Sequence, residues 1–150
     1  MPFKDINIVH MKVASTIAEL SYAKRKKVGA IITKDGRIIS TGYNGMPSGM
    51  SNECESQIVN DNVHFDNTIL RTKPEVVHAE ANAILFAAKN GQSTNNSNLY
   101  VTMSPCVECA KMIIQSGIIK VYYKKIYRND SGLKLLLESG IEILKIDESN

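Results

Sequence analysis

The chain has 150 residues, of which 43% are hydrophobic and 22% charged, and its formal net charge is +3. The length predicts one domain over residues 1–150, and the composition excludes disordered and fibrous classes. A mild positive charge suits a small anionic ligand, so a nucleic-acid partner is not expected. No apolar run reaches the length of a membrane span and no secretory signal opens the sequence, which predicts a cytoplasmic protein without membrane association.

A helix and a hairpin are the first predicted elements. Small and apolar residues recur at helical spacing over residues 8–23, which predicts a helix there. Two β-rich runs follow at residues 28–33 and 37–42, and Asp35-Gly36 between them favours a tight hairpin turn, because glycine tolerates positive φ. Residues 43–77 have weak periodicity, so we expect a long loop that is functional or that contains short elements.

Helices and strands alternate through the rest of the chain. The pattern predicts, in order, a helix over 78–91, a strand over 99–103, a helix over 107–116, a strand over 118–123, a helix over 132–139 and a strand over 141–146. Such alternation predicts a layered α/β domain with helices on both faces of its sheet.

Two short clusters carry metal-binding side chains, each at the predicted start of a helix. His78 and Glu80 belong to the first cluster, and Cys106 and Cys109 to the second, where Pro105 favours a helix start. Cysteines three apart share one helix face, and zinc accepts thiolate and imidazole ligands readily. We therefore predict that His78, Cys106 and Cys109 bind one catalytic Zn²⁺, with a fourth position left for a water whose pKa the metal lowers. Glu80 would then be the catalytic residue that moves protons.

Other interpretations of these clusters stay open. A Cys-x-x-Cys motif without an export signal favours metal binding or redox chemistry over a disulfide framework. A structural zinc site usually has four protein ligands, and Cys54 is the remaining cysteine that could supply the fourth. In that case the protein would be a noncatalytic regulator that zinc stabilises.

The combined pattern of His-x-Glu followed by Pro-Cys-x-x-Cys is the signature of zinc-dependent nucleobase deaminases. Beyond it, the sequence resembles the deoxycytidylate deaminases of the cytidine and deoxycytidylate deaminase superfamily, of the kind found in bacteria and phages. The resemblance covers about residues 21–146. It is carried by Gly-Tyr-Asn-Gly-Met-Pro-Ser-Gly at 42–49, by His-Ala-Glu-Ala-Asn-Ala-Ile at 78–84, and by the stretches 27–32, 99–106 and 115–118.

This resemblance implies a cytidine deaminase-like fold, a three-layer α/β/α sandwich with a mixed five-stranded sheet. It also implies hydrolysis of dCMP to dUMP and ammonia, which supplies dTTP precursors in pyrimidine nucleotide metabolism. In such an enzyme the backbone around Ala79 and Ser104 holds the base, and Asn44 bonds the deoxyribose. Arg25 grips the phosphate, and Tyr127 lies near the substrate.

The resemblance has further implications for partners and assembly. Relatives are commonly homo-oligomers, often hexamers, that dCTP activates and dTTP inhibits, with Mg²⁺ accompanying the regulatory triphosphate. If a phage encodes the chain, the enzyme would act in the cytoplasm of the host. Some members hold a second, structural zinc, but Cys54 and His64 are too few ligands for such a site here.

Simpler explanations exist for some of these residues. Arg25 lies in the cationic run 24–27, which is typical of a solvated helix end, and Asn44-Gly45 could form an ordinary turn. Another enzyme of the superfamily, acting on a free nucleoside, a base or a tRNA, is the alternative to a dCMP deaminase. The chain has no Trp and no basic tail, which disfavours a polynucleotide substrate.

Overall fold

A computed structural model gives the fold of residues 4–59 and 68–147. Within these two ranges the chain forms four helices and seven strands. In chain order they are α1 (Ile6–Ala18), β1 (Gly29–Lys34), β2 (Arg37–Tyr43), β3 (Glu55–Val59), β4 (Thr68–Thr72), α2 (Ala79–Lys89), β5 (Ser97–Met103), α3 (Val107–Gln115), β6 (Ile118–Lys125), α4 (Ser131–Glu138) and β7 (Glu142–Lys145).

Five strands form the main sheet, in the order β2-β1-β5-β6-β7. Strand β1 runs antiparallel to both β2 and β5, while β6 runs parallel to both β5 and β7. The turn between β1 and β2 has φ angles of 53° at Asp35 and 75° at Gly36, which confirms the predicted hairpin. The expectation of a mixed five-stranded sheet is also confirmed.

Helices cover both faces of this sheet. On one face α1 packs over a cluster that includes Met11, Ile31 and Tyr100. On the other face three helices bury a larger cluster, to which they contribute Ala79 and Ala83 from α2, Ala110 and Ile113 from α3, and Leu133 and Leu136 from α4. The three-layer α/β/α prediction is therefore confirmed. None of the helices in the described part of the chain has the length and apolar character that a bilayer crossing requires.

The first helix is shorter than the sequence predicts. It ends at Ala18 rather than near residue 23, and the next N–H groups bond three residues back instead of four. Ser21 stays buried but leaves the helix, because its hydroxyl donates to the backbone carbonyl of Asn44 at 2.7 Å. A side chain that bonds to backbone elsewhere competes with helix continuation. The residues that follow, 21–28, form a connecting segment that leads into β1.

The expected long loop contains a two-stranded hairpin that the periodicity did not reveal. Strands β3 and β4 pair antiparallel, with Glu55 opposite Thr72, and they do not join the main sheet. At the base of the hairpin the Lys73 N–H donates to the Cys54 carbonyl at 2.8 Å. No residue of the described parts 55–58 and 69–72 of these strands belongs to either core cluster, so their sequence needs no strong apolar alternation. The connection 60–67, which includes His64, lies outside the described residues.

Two glycines let neighbouring backbone segments contact each other directly near the starts of α2 and α3. A Cβ atom added at Gly42 on β2 would collide with the Ala79 carbonyl oxygen, so α2 rests directly on the strand. A Cβ atom added at Gly132 in α4 would collide with the Pro105 carbonyl oxygen, just before α3. A side chain at either position would displace the backbone near the start of one of these helices.

His10 is a buried residue of α1. The residue is 6% exposed, and its Nδ1 has no hydrogen-bond partner in the described part of the chain. Its ring meets Tyr100 edge-on with centroids 5.0 Å apart, and Tyr100 stacks on Tyr122. Burial lowers the pKa of His10, because the imidazolium would lose its hydration.

We expect His10 to reduce stability as the pH falls below about 6.5, the ordinary pKa of histidine. When folding lowers the pKa of a histidine, the unfolded chain binds the proton more tightly, so acidification favours unfolding. Urea denaturation between about pH 7.5 and 5.5 should therefore show a smaller loss of unfolding free energy for His10→Gln than for the unsubstituted protein. Parallel pH profiles for the two proteins would contradict this expectation.

Candidate active site

The predicted site residues converge at one edge of the main sheet. Segments that leave β2, β5 and β6 meet there with the segment 21–28, and α2 and α3 begin at the same edge. His78 and Cys106 are the N-cap residues of these two helices, and neither side chain makes a capping hydrogen bond. Neither side chain is therefore used to cap its own helix.

The imidazole of His78 and the thiols of Cys106 and Cys109 form one compact group. His78 Nδ1 lies 3.6 Å from Cys106 Sγ and 3.3 Å from Cys109 Sγ, and all three ligand atoms are within 4.8 Å of one another. A tetrahedral zinc, about 2.3 Å from sulfur and about 2.0 Å from nitrogen, separates such atoms by about 3.5 Å. The donor set and its spacing therefore fit one zinc ion. Among the described residues no second group of three such ligands occurs, and Cys54 is buried apart from this one.

The protonation states of these three side chains depend on one another. Hydrogen bonds to Cys109 and His78 lower the pKa of Cys106 to about 3, so its thiolate forms readily. The bond to Cys106, together with burial, raises the pKa of Cys109. The bond to Cys106 also raises the pKa of His78. A divalent cation bound between the two sulfurs would favour the thiolate form of both cysteines.

Glu80 is the buried carboxyl group beside these ligands. It lies in the first turn of α2, two residues after His78, and is 4% exposed. Burial raises the pKa of Glu80, because desolvation penalises the charged form. A carboxyl group with a raised pKa can both accept and donate a proton near neutral pH.

A cavity of about 630 Å³ opens beside the ligand group, a volume typical of small-molecule sites. Among the described residues that line this cavity, Glu80 is the single one with a carboxyl side chain. Five lining residues are cationic, namely Arg25, Lys26, Arg71, Lys73 and Arg128. This excess of positive charge favours an anionic ligand.

Asn44 lies in the wall of this cavity and holds the segment 21–28 in place. Its Oδ1 accepts from the Val28 N–H at 2.9 Å, and its Nδ2 donates to the Lys26 carbonyl at 2.8 Å. An amide nitrogen has two hydrogens, and in the described part of the chain the second one has no acceptor. Asn44 can therefore hold the segment and still donate to a ligand.

Ala79, Ser104 and Tyr127 line the cavity as well. Ala79 is the first residue of α2, so its N–H lacks an acceptor within the helix and can donate to a ligand. The Ser104 N–H donates to the Lys125 carbonyl at 2.7 Å, which leaves the Ser104 carbonyl as the backbone group that a ligand could meet. The Ser104 hydroxyl accepts from the Tyr127 N–H at 2.8 Å and so fixes the position of Tyr127.

Arg25 reaches the same cavity from the segment 21–28. Its side chain is exposed, and its Nη1 donates to the Thr72 hydroxyl at 3.3 Å. Lys26 and Arg128 approach the Tyr127 ring, at 5.2 Å and 5.4 Å from its centroid, and bring two further cations to the cavity. Arg25 is thus one of several cavity cations as well as part of a solvated run.

Some residues around the cavity were not found from the sequence. Thr72 belongs to the hairpin that the periodicity did not reveal, and Arg128 looks like an ordinary surface cation. Lys26 could have been found from its place beside Arg25. Glu55, whose carboxylate accepts from the N–H groups of residues 24 and 25, has no sequence signal of its own.

Known proteins are similar to this chain over most of its length. The family model for the cytidine and deoxycytidylate deaminase zinc-binding region matches residues 5–125. The deoxycytidylate deaminase of Enterobacteria phage T4 is 38% identical, over 91% of this chain and 91% of its own. The human deoxycytidylate deaminase is 37% identical, over 81% of this chain and 65% of its own. The crystal structure of dCMP deaminase from the cyanophage S-TIM5 in complex with dCMP and dUMP has a TM-score of 0.84 and 39% identity, over 97% of this chain and 100% of that chain.

Metal content tests the ligand set directly. We expect about one zinc ion per chain, and we expect Cys106→Ser to lose most of it together with part of the thermal stability, since metal binding and folding are coupled. Elemental analysis and thermal denaturation of the same preparations measure the two effects. Cys54→Ser is the matched control, because this thiol lies apart from the ligand group and its loss should leave the zinc in place. Full zinc content in Cys106→Ser would rule out this ligand set.

Proposed function

The chain belongs to the cytidine and deoxycytidylate deaminase family, and on that premise we propose that it is a zinc-dependent hydrolase that converts dCMP to dUMP and ammonia. The observation that carries the proposal is the meeting of His78, Cys106 and Cys109 beside the buried carboxyl of Glu80. The cationic cavity next to them suits a nucleotide. The reaction supplies dUMP for dTTP synthesis.

Zinc held by His78, Cys106 and Cys109 would supply Lewis acidity and a water molecule of lowered pKa. Glu80 accepts a proton from the water that attacks C4 of cytosine and donates it to N3. It then takes the remaining proton from the new C4 hydroxyl and transfers it to the amino group. The C4 carbonyl forms as the C4–N4 bond breaks, and ammonia leaves. Burial keeps bulk water away from Glu80, so the proton it accepts is retained for the substrate.

Backbone groups and Asn44 hold the nucleoside part of the substrate in this proposal. The Ala79 N–H donates to the base carbonyl, and the Ser104 carbonyl accepts from the exocyclic amino group. The second amide hydrogen of Asn44 donates to a deoxyribose hydroxyl. These contacts orient C4 toward the metal-ligand group, and Tyr127 closes the side of the cavity near the sugar.

Arg25 is the proposed ligand of the 5′-phosphate. A mononucleotide carries about two negative charges at neutral pH, and a guanidinium group binds phosphate through two parallel hydrogen bonds. Lys26 and Arg128 add positive charge nearby. The five cavity cations support a phosphorylated substrate over a free nucleoside or base, neither of which would need them.

The expectations about domain organisation, assembly, effectors and location stay predictions. They are a single domain over residues 1–150, a homo-oligomer with a hexamer favoured, activation by dCTP with Mg²⁺, inhibition by dTTP, and cytoplasmic residence. Leu85 and Phe86 on α2, which are 56% and 53% exposed, support a homo-oligomer because they form an adjacent apolar pair at the surface.

Removal of the proton carrier tests the reaction. We expect Glu80→Gln to keep its zinc and to lower kcat for dCMP at least about a hundredfold, because the amide cannot accept and return a proton. Ammonia release and metal content are measured together. Glu108→Gln changes an exposed carboxyl on α3 that pairs with Lys111, and it should leave turnover unchanged. Wild-type turnover in Glu80→Gln would refute this mechanism.

Comparison of dCMP with deoxycytidine tests the substrate class. We expect kcat/KM to be at least about a hundredfold higher for dCMP, and Arg25→Ala to remove most of that preference while leaving deoxycytidine turnover unchanged. Lys27→Ala, in the same cationic run but outside the cavity lining, is the control and should keep the preference. Equal kcat/KM for the two compounds in the unsubstituted protein would exclude a nucleotide-specific enzyme.

A further inference from the structure

Glu55 joins the β3–β4 hairpin to the backbone that carries Arg25. Its Oε1 accepts from the Lys24 N–H at 2.8 Å and from the Arg25 N–H at 3.0 Å. Hydrogen bonds from two amides to one carboxylate oxygen are charge-assisted and shorter than neutral bonds as a class. Arg25 and Glu55 lie 30 positions apart in sequence, so this contact is tertiary. It fixes the segment 21–28 against the hairpin.

The contact is reciprocal. While Glu55 on β3 binds the backbone of Arg25, the Arg25 side chain returns to β4 and donates from Nη1 to the Thr72 hydroxyl. Glu55 and Thr72 are register partners across the hairpin, so both contacts meet one end of it. The hairpin and the segment 21–28 therefore restrain each other. The remaining N–H groups of the Arg25 guanidinium stay available to a ligand in the cavity.

The segment 21–28 has few other anchors where Arg25 lies. Asn44 holds it at Lys26 and Val28, and the Ser21 hydroxyl holds its beginning. Residues 24 and 25 are tied by Glu55. Without that carboxylate, the backbone of residues 24 and 25 would lose its hydrogen bonds to the hairpin, and only the Arg25 side chain would still contact it.

We propose that Glu55 is a positioning residue for phosphate recognition, which acts by fixing the backbone from which Arg25 reaches the nucleotide. This inference rests on the proposed function, since it assigns Glu55 to the binding of the dCMP phosphate through Arg25. Glu55 does not touch the reacting atoms. Its removal should therefore weaken the binding of phosphorylated substrates and leave the chemical step intact.

The role is that of a hydrogen-bond acceptor rather than a negative charge. A carboxylate near a phosphate site is electrostatically unfavourable, and here the two amide donors offset its charge. Glutamine keeps an acceptor oxygen at the same reach and removes the charge. Glu55→Gln should therefore preserve phosphate recognition, whereas Glu55→Ala should impair it.

Steady-state kinetics on the zinc-loaded protein test the proposal. For Glu55→Ala we expect KM for dCMP to rise at least about tenfold with kcat within about twofold, and kinetics on deoxycytidine to be unchanged. For Glu55→Gln, kcat/KM should stay within about threefold of the value for the unsubstituted protein on both substrates. In an Arg25→Ala background, Glu55→Ala should add no further loss, because the two residues act through one contact.

The control is Glu53→Ala, which removes an exposed carboxyl two residues away. It should leave the kinetics on both substrates unchanged. A Glu55→Ala variant in which kcat/KM falls equally for dCMP and deoxycytidine, or falls for neither, overturns the proposal. If Glu55→Ala does not fold, Glu55→Asp carries the test, because it keeps the charge and shortens the reach to the two amides. KM for dCMP should then rise, and an unchanged KM in that variant overturns the proposal. Failure of the proposed function would be seen separately, as an unsubstituted protein that does not prefer dCMP to deoxycytidine.

Discussion

Two helix N-termini must meet for this protein to have a metal site. His78 caps α2 and Cys106 caps α3, so the distances between the ligands follow from how the two helices pack. Gly42 lets α2 rest on β2 at backbone distance, and Gly132 lets α4 contact the backbone before α3. Alanines at the buried positions of α2 extend the same close packing. The spacing of the ligands is therefore built into the core rather than left to a loop.

The carboxyl group and the cations of the site lie in different parts of the cavity. The carboxyl of Glu80 is buried beside the metal ligands, where desolvation raises its pKa and a proton can be gained and returned. The cations lie at the other parts of the cavity, on the segment 21–28, on the hairpin and after β6. A nucleotide satisfies both regions at once, with a nearly neutral base at one end and an anionic phosphate at the other.

The parts of this molecule that local chemistry determines could be predicted from the sequence, and the parts that distant contacts determine could not. The spacing of Cys106 and Cys109 reveals a shared helix face, and the apolar runs reveal the strands of the main sheet, because burial demands those residue types. The end of α1 depends on a hydrogen bond from Ser21 to Asn44, 23 positions away, which no local pattern reports. The β3–β4 hairpin and the contact of Glu55 with the segment 21–28 were missed for the same reason.

The β3–β4 hairpin makes no hydrogen-bonded ladder with the main sheet, and this separation affects how such a protein can diverge. Surface excursions tolerate changes of sequence and length that buried strands do not. His78, Cys106 and Cys109 lie at the starts of helices packed in the core, whereas one wall of the cavity belongs to an excursion between β2 and α2. On the proposed function, exchange of that excursion between relatives is expected to change substrate selection more than the packing that brings His78, Cys106 and Cys109 together.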